Sequence, residues 1–235
     1  MYQFDSFAKR ILFEDNHIII VNKLPSEIVQ GDKTGDMPLS DVVKGYIAHK
    51  YKKPGNVFLG VVHRIDRPVS GAVIFARTSK ALARFNAMLQ KRELHKKYWA
   101  VVKNRPPDTE GVLKNTLLKN EKQNKSYVVP EGTPHGKPAE LNYKVLAESR
   151  DYCLLEIELI TGRHHQVRSQ LAAIGCSIKG DLKYGFDRSN QDASIHLHAR
   201  SLSFVHPVSE KQINIIAPAP EDTLWKFFEA NVIDA

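Results

Sequence analysis

Only two cysteines, Cys153 and Cys176, occur among the 235 residues, and both sit in apolar surroundings. So few cannot make a disulfide framework, and buried free thiols in a reducing compartment are the expectation. No apolar run approaches the roughly 18 to 20 residues of a membrane-spanning helix. The opening Met1-Tyr2-Gln3-Phe4-Asp5 lacks the basic lead and apolar stretch of a secretory signal. These absences make a cytoplasmic protein, with no membrane partner, the expectation. Internal repeats and low-complexity tracts are missing as well. There is no Cys-x-x-Cys, no His-Glu-x-x-His, no Gly-x-Gly-x-x-Gly, no Gly-Lys-Ser/Thr phosphate loop and no Gly-x-Ser-x-Gly elbow. His196-Leu197-His198 puts two imidazoles on one side of an extended segment, and His164-His165 are adjacent. No third ligand follows at a familiar spacing, so neither a metal nor an organic cofactor is expected.

What the chain does contain is an ordinary share of core-forming residues, 42% hydrophobic, with 26% charged. Its length suits one large domain or two small ones, and a single domain over 1–235 is the expectation. Thirty-four Lys and Arg against 26 Asp and Glu leave a formal charge of +8. The lysines cluster: Lys44, Lys50, Lys52 and Lys53; then Lys91, Arg92, Lys96, Lys97 and Lys103; then Lys114, Lys119, Lys122 and Lys125. Each cluster alone reads as a solvated face; together they suit a polyanionic partner without establishing one.

Strand patterns cover 17–22, 71–77, 98–103, 141–147 and 152–160, and in the last Leu155, Ile157 and Leu159 alternate with Glu156 and Glu158. A further pair is expected at 202–205 and 212–216. Helices are expected over 40–50, from a cap at Ser79 with Leu82, Phe85 and Leu89 inward, from near Thr161 to a stop at Gly175, and from about Glu221 with Leu224, Phe227 and Phe228 buried. The polar stretch 119–137 reads as a loop or flexible hairpin. Strands follow one another without crossovers, which predicts an α+β fold with a mixed, mostly antiparallel sheet flanked by helices and loops.

Three segments combine residues able to do chemistry. In Gly60-Val61-Val62-His63-Arg64-Ile65-Asp66-Arg67-Pro68-Val69-Ser70-Gly71, a strand end runs into a charged turn. Arginines on either side favour an ionised Asp66, which suits a nucleophile or base better than a general acid. An Asp that merely accepts turn amides fits the same run. In His95-Lys96-Lys97-Tyr98-Trp99-Ala100, alternation sends Tyr98 and Trp99 to opposite faces. One core and one surface aromatic would satisfy that pattern; so would Tyr98 as a platform for a planar base. In Thr161-Gly162-Arg163-His164-His165-Gln166-Val167-Arg168, basic residues gather at a strand-to-helix junction, suited to an anion or an incoming carboxylate, or to a hydrated first turn.

Taken in this order, the segments resemble the RluA family of RNA pseudouridine synthases. The resemblance also takes in Ile11-Leu12-Phe13-Glu14-Asp15, Ile19-Ile20-Val21-Asn22-Lys23 and Gly180-Asp181-x-x-Tyr184-Gly185. It departs from the family at His164, where a small hydroxyl residue is common, and at Ser169-Gln170. The resemblance implies the family's catalytic fold and isomerisation of uridine to pseudouridine in RNA without a cofactor. It implies Asp66 as the essential carboxylate, Tyr98 packed on the base, and Arg163 as the partner of Asp66. His63, Arg64, Arg67, Gln166 and Arg168 are expected to meet RNA, with Arg64 filling the space left by a flipped base. Because the resemblance starts by about residue 11, the shorter branch lacking an S4-type RNA-binding domain is expected, working as a monomer on a ribosomal or transfer RNA stem-loop. An RNA-binding protein of the same fold without activity is the alternative. A glycosidase would need a second acid, and none lies within ten residues of Asp66.

Overall fold

Four β-branched residues in succession, Ile18-Ile19-Ile20-Val21, build a deeply buried strand, each of them 0% exposed. It is β2 (Ile18–Lys23), entered through a turn in which Asp15 Oδ1 accepts the His17 and Ile18 amides at 2.7 and 2.8 Å. The computed structural model describes residues 4–232. The chain forms two compact units, Met1–Leu94 with Ala199–Pro218, and His95–His198 with Ala219–Ala235.

In the first unit β2 pairs antiparallel with β1 (Ile11–Glu14) and with β4 (Ser70–Ala76), Ile20 facing Ile74 in register. A short β3 (Gly60–Val61) also lies on β4. The later part of β10 (Leu197–Val205) follows β4 in the sheet and pairs antiparallel with β11 (Gln212–Ile216). Ile18, Ile20, Ala72, Ile74, Leu202 and Phe204 pack with Ala81 and Phe85 of the helix Ser79–Lys91. Leu82 and Leu89 pack at its margin, as their spacing predicts. The helix cap is Thr78 rather than the expected Ser79: Thr78 is the extended residue before the first turn, and its Oγ1 accepts the Ala81 amide. An earlier helix, Leu39–Lys50, matches the expectation to one residue.

In the second unit five strands pair antiparallel in the order β5 (His95–Val102), β9 (Cys153–Leu159), β8 (Lys137–Glu148), β6 (Glu110–Asn120) and β7 (Lys125–Val129). The expected alternation in β9 holds, with Leu155 and Ile157 at 0% exposure. β6 escapes detection in the sequence because Lys, Asn and Thr interrupt its apolar residues and most of its positions stay partly exposed. The hairpin expected within 119–137 is there, but it carries a real strand, β7, rather than loop alone.

Trp99, Val101 and Leu154 pack under the last helix, Thr223–Asn231. Asp222 caps that helix by accepting the Leu224 and Trp225 amides, which turns Trp225 and Phe228 inward. The expected inward Phe227 is instead 41% exposed. Tyr98 and Trp99 are both buried, so neither is the surface aromatic that alternation allowed. The expected helix start near Thr161 moves to Gln166, because 162–165 form a turn that ends with His165 in the left-handed region. Its stop is as expected, with Gly175 at φ +76°. Both cysteines are free and buried.

Gly71 sets the start of β4. Its φ is +118°, and a Cβ there would lie 2.4 Å from the Ala199 carbonyl oxygen. The obstacle is backbone and cannot swing away. Gly71→Ala is therefore expected to lose about 3 kcal/mol or more of stability. Urea unfolding of the variant beside wild type checks this; a loss under about 1 kcal/mol would show that the close approach is not limiting.

Candidate active site

His63, Arg64, Asp66 and Arg67 share one loop of the first unit. Asp66 is partly buried and opens a tight turn, its carbonyl accepting the Val69 amide at 3.0 Å. Beneath the loop lies Lys23, which is 0% exposed. Its ammonium donates to the carbonyl oxygens of Leu24, Arg67 and Val69 at 2.9, 3.1 and 2.7 Å. Three acceptors match the three N–H bonds of an ammonium, so the loop backbone is held inside its turn at Arg67 and at its last residue, Val69. Burial pushes Lys23 down to about 7, against the upward pull of the Glu27 and Asp66 carboxylates. His63 closes the other side, its Nε2 accepting the Ile74 amide at 3.2 Å. That nitrogen serves β4. Arg64 and Arg67 are exposed, and Arg67 meets Asp36 at 2.7 Å in a solvated pair of small energetic weight.

The second unit carries Tyr98 on β5 and Arg163, Gln166 and Arg168 around the turn before the helix Gln166–Ala173. Arg163 is exposed, and its Nε donates to the Pro138 carbonyl at 2.9 Å. The Gln166 amide is committed to the protein. Its Oε1 accepts from the Thr161 hydroxyl and the Arg163 amide at 2.8 and 2.9 Å, and its Nε2 donates to the Glu140 carbonyl at 3.0 Å. Arg168 is 5% exposed and forks onto Asp181, with Nε and Nη2 at 2.7 and 2.8 Å from the two carboxylate oxygens. Gln166 and Arg168, both expected to meet RNA, are buried here and engaged within the protein. Gln166 shapes the turn that presents Arg163, and Arg168 neutralises Asp181.

A third partner of Arg168 fixes a proton. Its Nη1 lies 3.2 Å from His165 Nε2, and since a guanidinium only donates, that ring nitrogen must accept. The proton then sits on His165 Nδ1, which faces the Tyr184 hydroxyl at 3.0 Å. Tyr184 in turn accepts from the Ser126 amide at 2.9 Å and donates to the Ser126 carbonyl at 3.1 Å. Burial and the nearby Arg168 charge push His165 down to about 2, so the ring stays neutral. His164 stacks on it at 3.8 Å and reaches the β6–β7 hairpin through Ser126 Oγ and Asn124 Oδ1 at 2.9 and 3.1 Å. Sequence reading misses Lys23, Ser126 and Asp181 as supports, because, Leu24 apart, their partners lie far from them in the chain.

The imidazoles considered as metal ligands have other company. His196 stacks on Trp225 at 5.2 Å and lies 3.0 Å from Asp222, while His198 lies 6.0 Å from the same indole. Among the described residues, no three His, Cys, Asp or Glu side chains group as a metal site.

Residues 17–173 match the family model described as RNA pseudouridylate synthase. Ribosomal large subunit pseudouridine synthase D of Zymomonas mobilis is 33% identical over 90% of this chain and 69% of its own length. Ribosomal large subunit pseudouridine synthase C of Vibrio cholerae is 32% identical over 88% of this chain and 65% of its own. The chain thus spans about two thirds of the length of these relatives. A solved structure of human RNA pseudouridylate synthase domain containing 4 superposes with a TM-score of 0.80 at 22% identity, over 95% of this chain and 94% of that one, and shows the same fold.

Two measurements test the supports of the site. Tyr184→Phe leaves the Ser126 backbone and His165 Nδ1 without their buried partner, and about 2 kcal/mol of stability should be lost; thermal melting or urea unfolding reads it, and an unchanged midpoint would contradict the network. For Lys23 the sign follows from proton counting. The unfolded lysine titrates near 10.5, the folded one near 7, so between those values the unfolded state holds more protons and stability rises with pH. Wild type should gain on Lys23→Met by up to about 1.4 kcal/mol per pH unit from about pH 7 to 9. A gap that stays constant with pH would mean that the buried lysine keeps its charge.

Proposed function

The chain belongs to the RNA pseudouridylate synthase family, and from that membership we propose that it converts selected uridines of a structured RNA into pseudouridine. The observation that carries this reading is the match over residues 17–173, which takes in Asp66, Tyr98 and Arg163 together. The reaction breaks the bond between the ribose C1′ and N1, turns the base, and joins C1′ to C5. C5 loses a proton and N1 gains one, so nothing is consumed and no cofactor is called for.

In this reading Asp66 is the essential carboxylate, Tyr98 packs on the base near C5, and Arg163 supplies the positive charge that keeps the carboxylate ionised and aimed. The pinned loop around Asp66 supports the first of these roles, since a catalytic group works best when its geometry is set before substrate arrives. A uridine in a folded RNA must leave its stack before its bond to the sugar can turn. Arg64 is exposed beside Asp66, which suits it to fill the vacated space, with His63 and Arg67 of the same loop meeting the RNA around it. The large ribosomal subunit is named for both curated relatives above; ribosomal RNA and transfer RNA are the substrate classes in this reading, and the enzyme acts as a monomer in the cytoplasm.

Cellular RNA incubated with the protein or with Asp66→Ala, then mapped for pseudouridine, tests the reading and identifies the target. Sites are expected with wild type, and Asp66→Ala should be slower by about three orders of magnitude or more. No site attributable to the wild-type protein would sink the activity and leave an RNA-binding protein of the same fold. Arg64→Ala should lower kcat/KM about tenfold, more than Arg64→Lys; wild-type rates for both would remove Arg64 from base flipping.

A further inference from the structure

Lys96 is the second residue of β5 and lies two places before Tyr98, so the two share a face of the strand. The lysines around it have partners. Lys97 meets Glu156 at 2.8 Å, Lys103 meets Asp187 at 2.5 Å, and Lys114 meets Glu140 at 3.2 Å. Those three side chains are 45%, 55% and 70% exposed. Lys96 is the reverse case, only partly exposed, with no hydrogen-bond acceptor or carboxylate at its ammonium among the described residues. A Cβ at Gly162 would stand 3.6 Å from its Nζ, which places the ammonium beside the turn that presents Arg163.

A desolvated cation without a counter-charge is costly, and a protein normally pairs it or hydrogen-bonds it. Lys23 shows what this chain does when it buries a lysine for structure: three carbonyls receive it. Nothing comparable receives Lys96. Burial alone acts on it, pushing its pKa down with no opposing charge. The missing partner should therefore carry a full negative charge and come from outside the chain. We propose that Lys96 binds a phosphodiester oxygen of the RNA, next to the uridine that Tyr98 receives; this rests on the synthase reading above. A neutral uracil carbonyl would leave the charge uncompensated, whereas a phosphate removes it. Lys96 is then a substrate-binding residue whose cost in the free protein is recovered on the RNA.

The test compares wild type, Lys96→Met and Lys96→Arg for binding to a labelled RNA stem-loop with uridines in its loop, between about 50 and 300 mM sodium chloride. Methionine keeps the length and removes the charge. Its plot of log affinity against log salt should be shallower by about 0.7 to 0.9, the loss of one phosphate contact. Affinity near 100 mM salt should fall about tenfold, with Lys96→Arg close to wild type and the effect on turnover appearing in KM. Lys96→Met should melt no lower than wild type, since it relieves an uncompensated charge. A slope equal to that of wild type, a loss confined to kcat, or a lower melting temperature with unchanged slope overturns the proposal. If pseudouridine forms normally while slope and KM are unchanged, Lys96 alone is wrong. If no pseudouridine forms in any RNA but the slope still falls, Lys96 stands and the activity does not.

Discussion

Lys23 is an ammonium sunk beneath the loop that carries Asp66, and the three carbonyl oxygens it receives belong to Leu24, Arg67 and Val69. Two of those carbonyls, of Arg67 and Val69, belong to the turn that Asp66 opens. Burying a charge is unfavourable, so the contact persists only while all its acceptors are in place. Loop and lysine thus hold each other. The neighbouring constraints act on the same few residues: His63 ties the loop to the Ile74 amide, and Gly71 lets β4 begin against the Ala199 backbone. A carboxylate on a loop would ordinarily sample many positions. Here its backbone has little freedom, and that is the condition for it to act as a catalytic group.

The second unit solves its own positioning problem with a polar network rather than a buried charge. Asp181, Arg168, His165, Tyr184 and Ser126 form one chain of hydrogen bonds, and each member's donor and acceptor capacity assigns the next. The consequence is local order around 162–165, where Gln166 holds the Arg163 amide and the Pro138 carbonyl takes the Arg163 Nε. Arg163 keeps its remaining guanidinium donors for another partner. His164 extends the network to the β6–β7 hairpin. The lysine-bearing hairpin and the Arg163 turn are thereby coupled in this chain.

Much of this is legible in the order of residues alone. Strong periodicity marks β2, β4 and β9 because their side chains alternate or are uniformly apolar, and the antiparallel α+β class follows from them. Asp66, Tyr98 and Arg163 stand out through their company in motifs, although each taken alone fits an ordinary structural role. The pattern fails where burial is set by packing and capping and not by the period of apolar residues. β6 is polar because much of it stays partly exposed, and Phe227 faces solvent because Asp222 sets the phase of its helix.

By itself the sequence determined the strand periods, the absence of any long apolar span, the family resemblance and the candidate chemical groups, all of which depend on residues close together in the chain. Tertiary structure alone decided which charges are neutralised. Arg168 reads as an RNA-binding arginine and forks onto Asp181; Lys96 reads as one of a solvated cluster and has no partner among the described residues. Lys23 reads only as the end of a segment in the family resemblance, and it pins a loop 44 residues further on. Pairing between distant residues follows from how strands and turns pack, and no local window of sequence contains it.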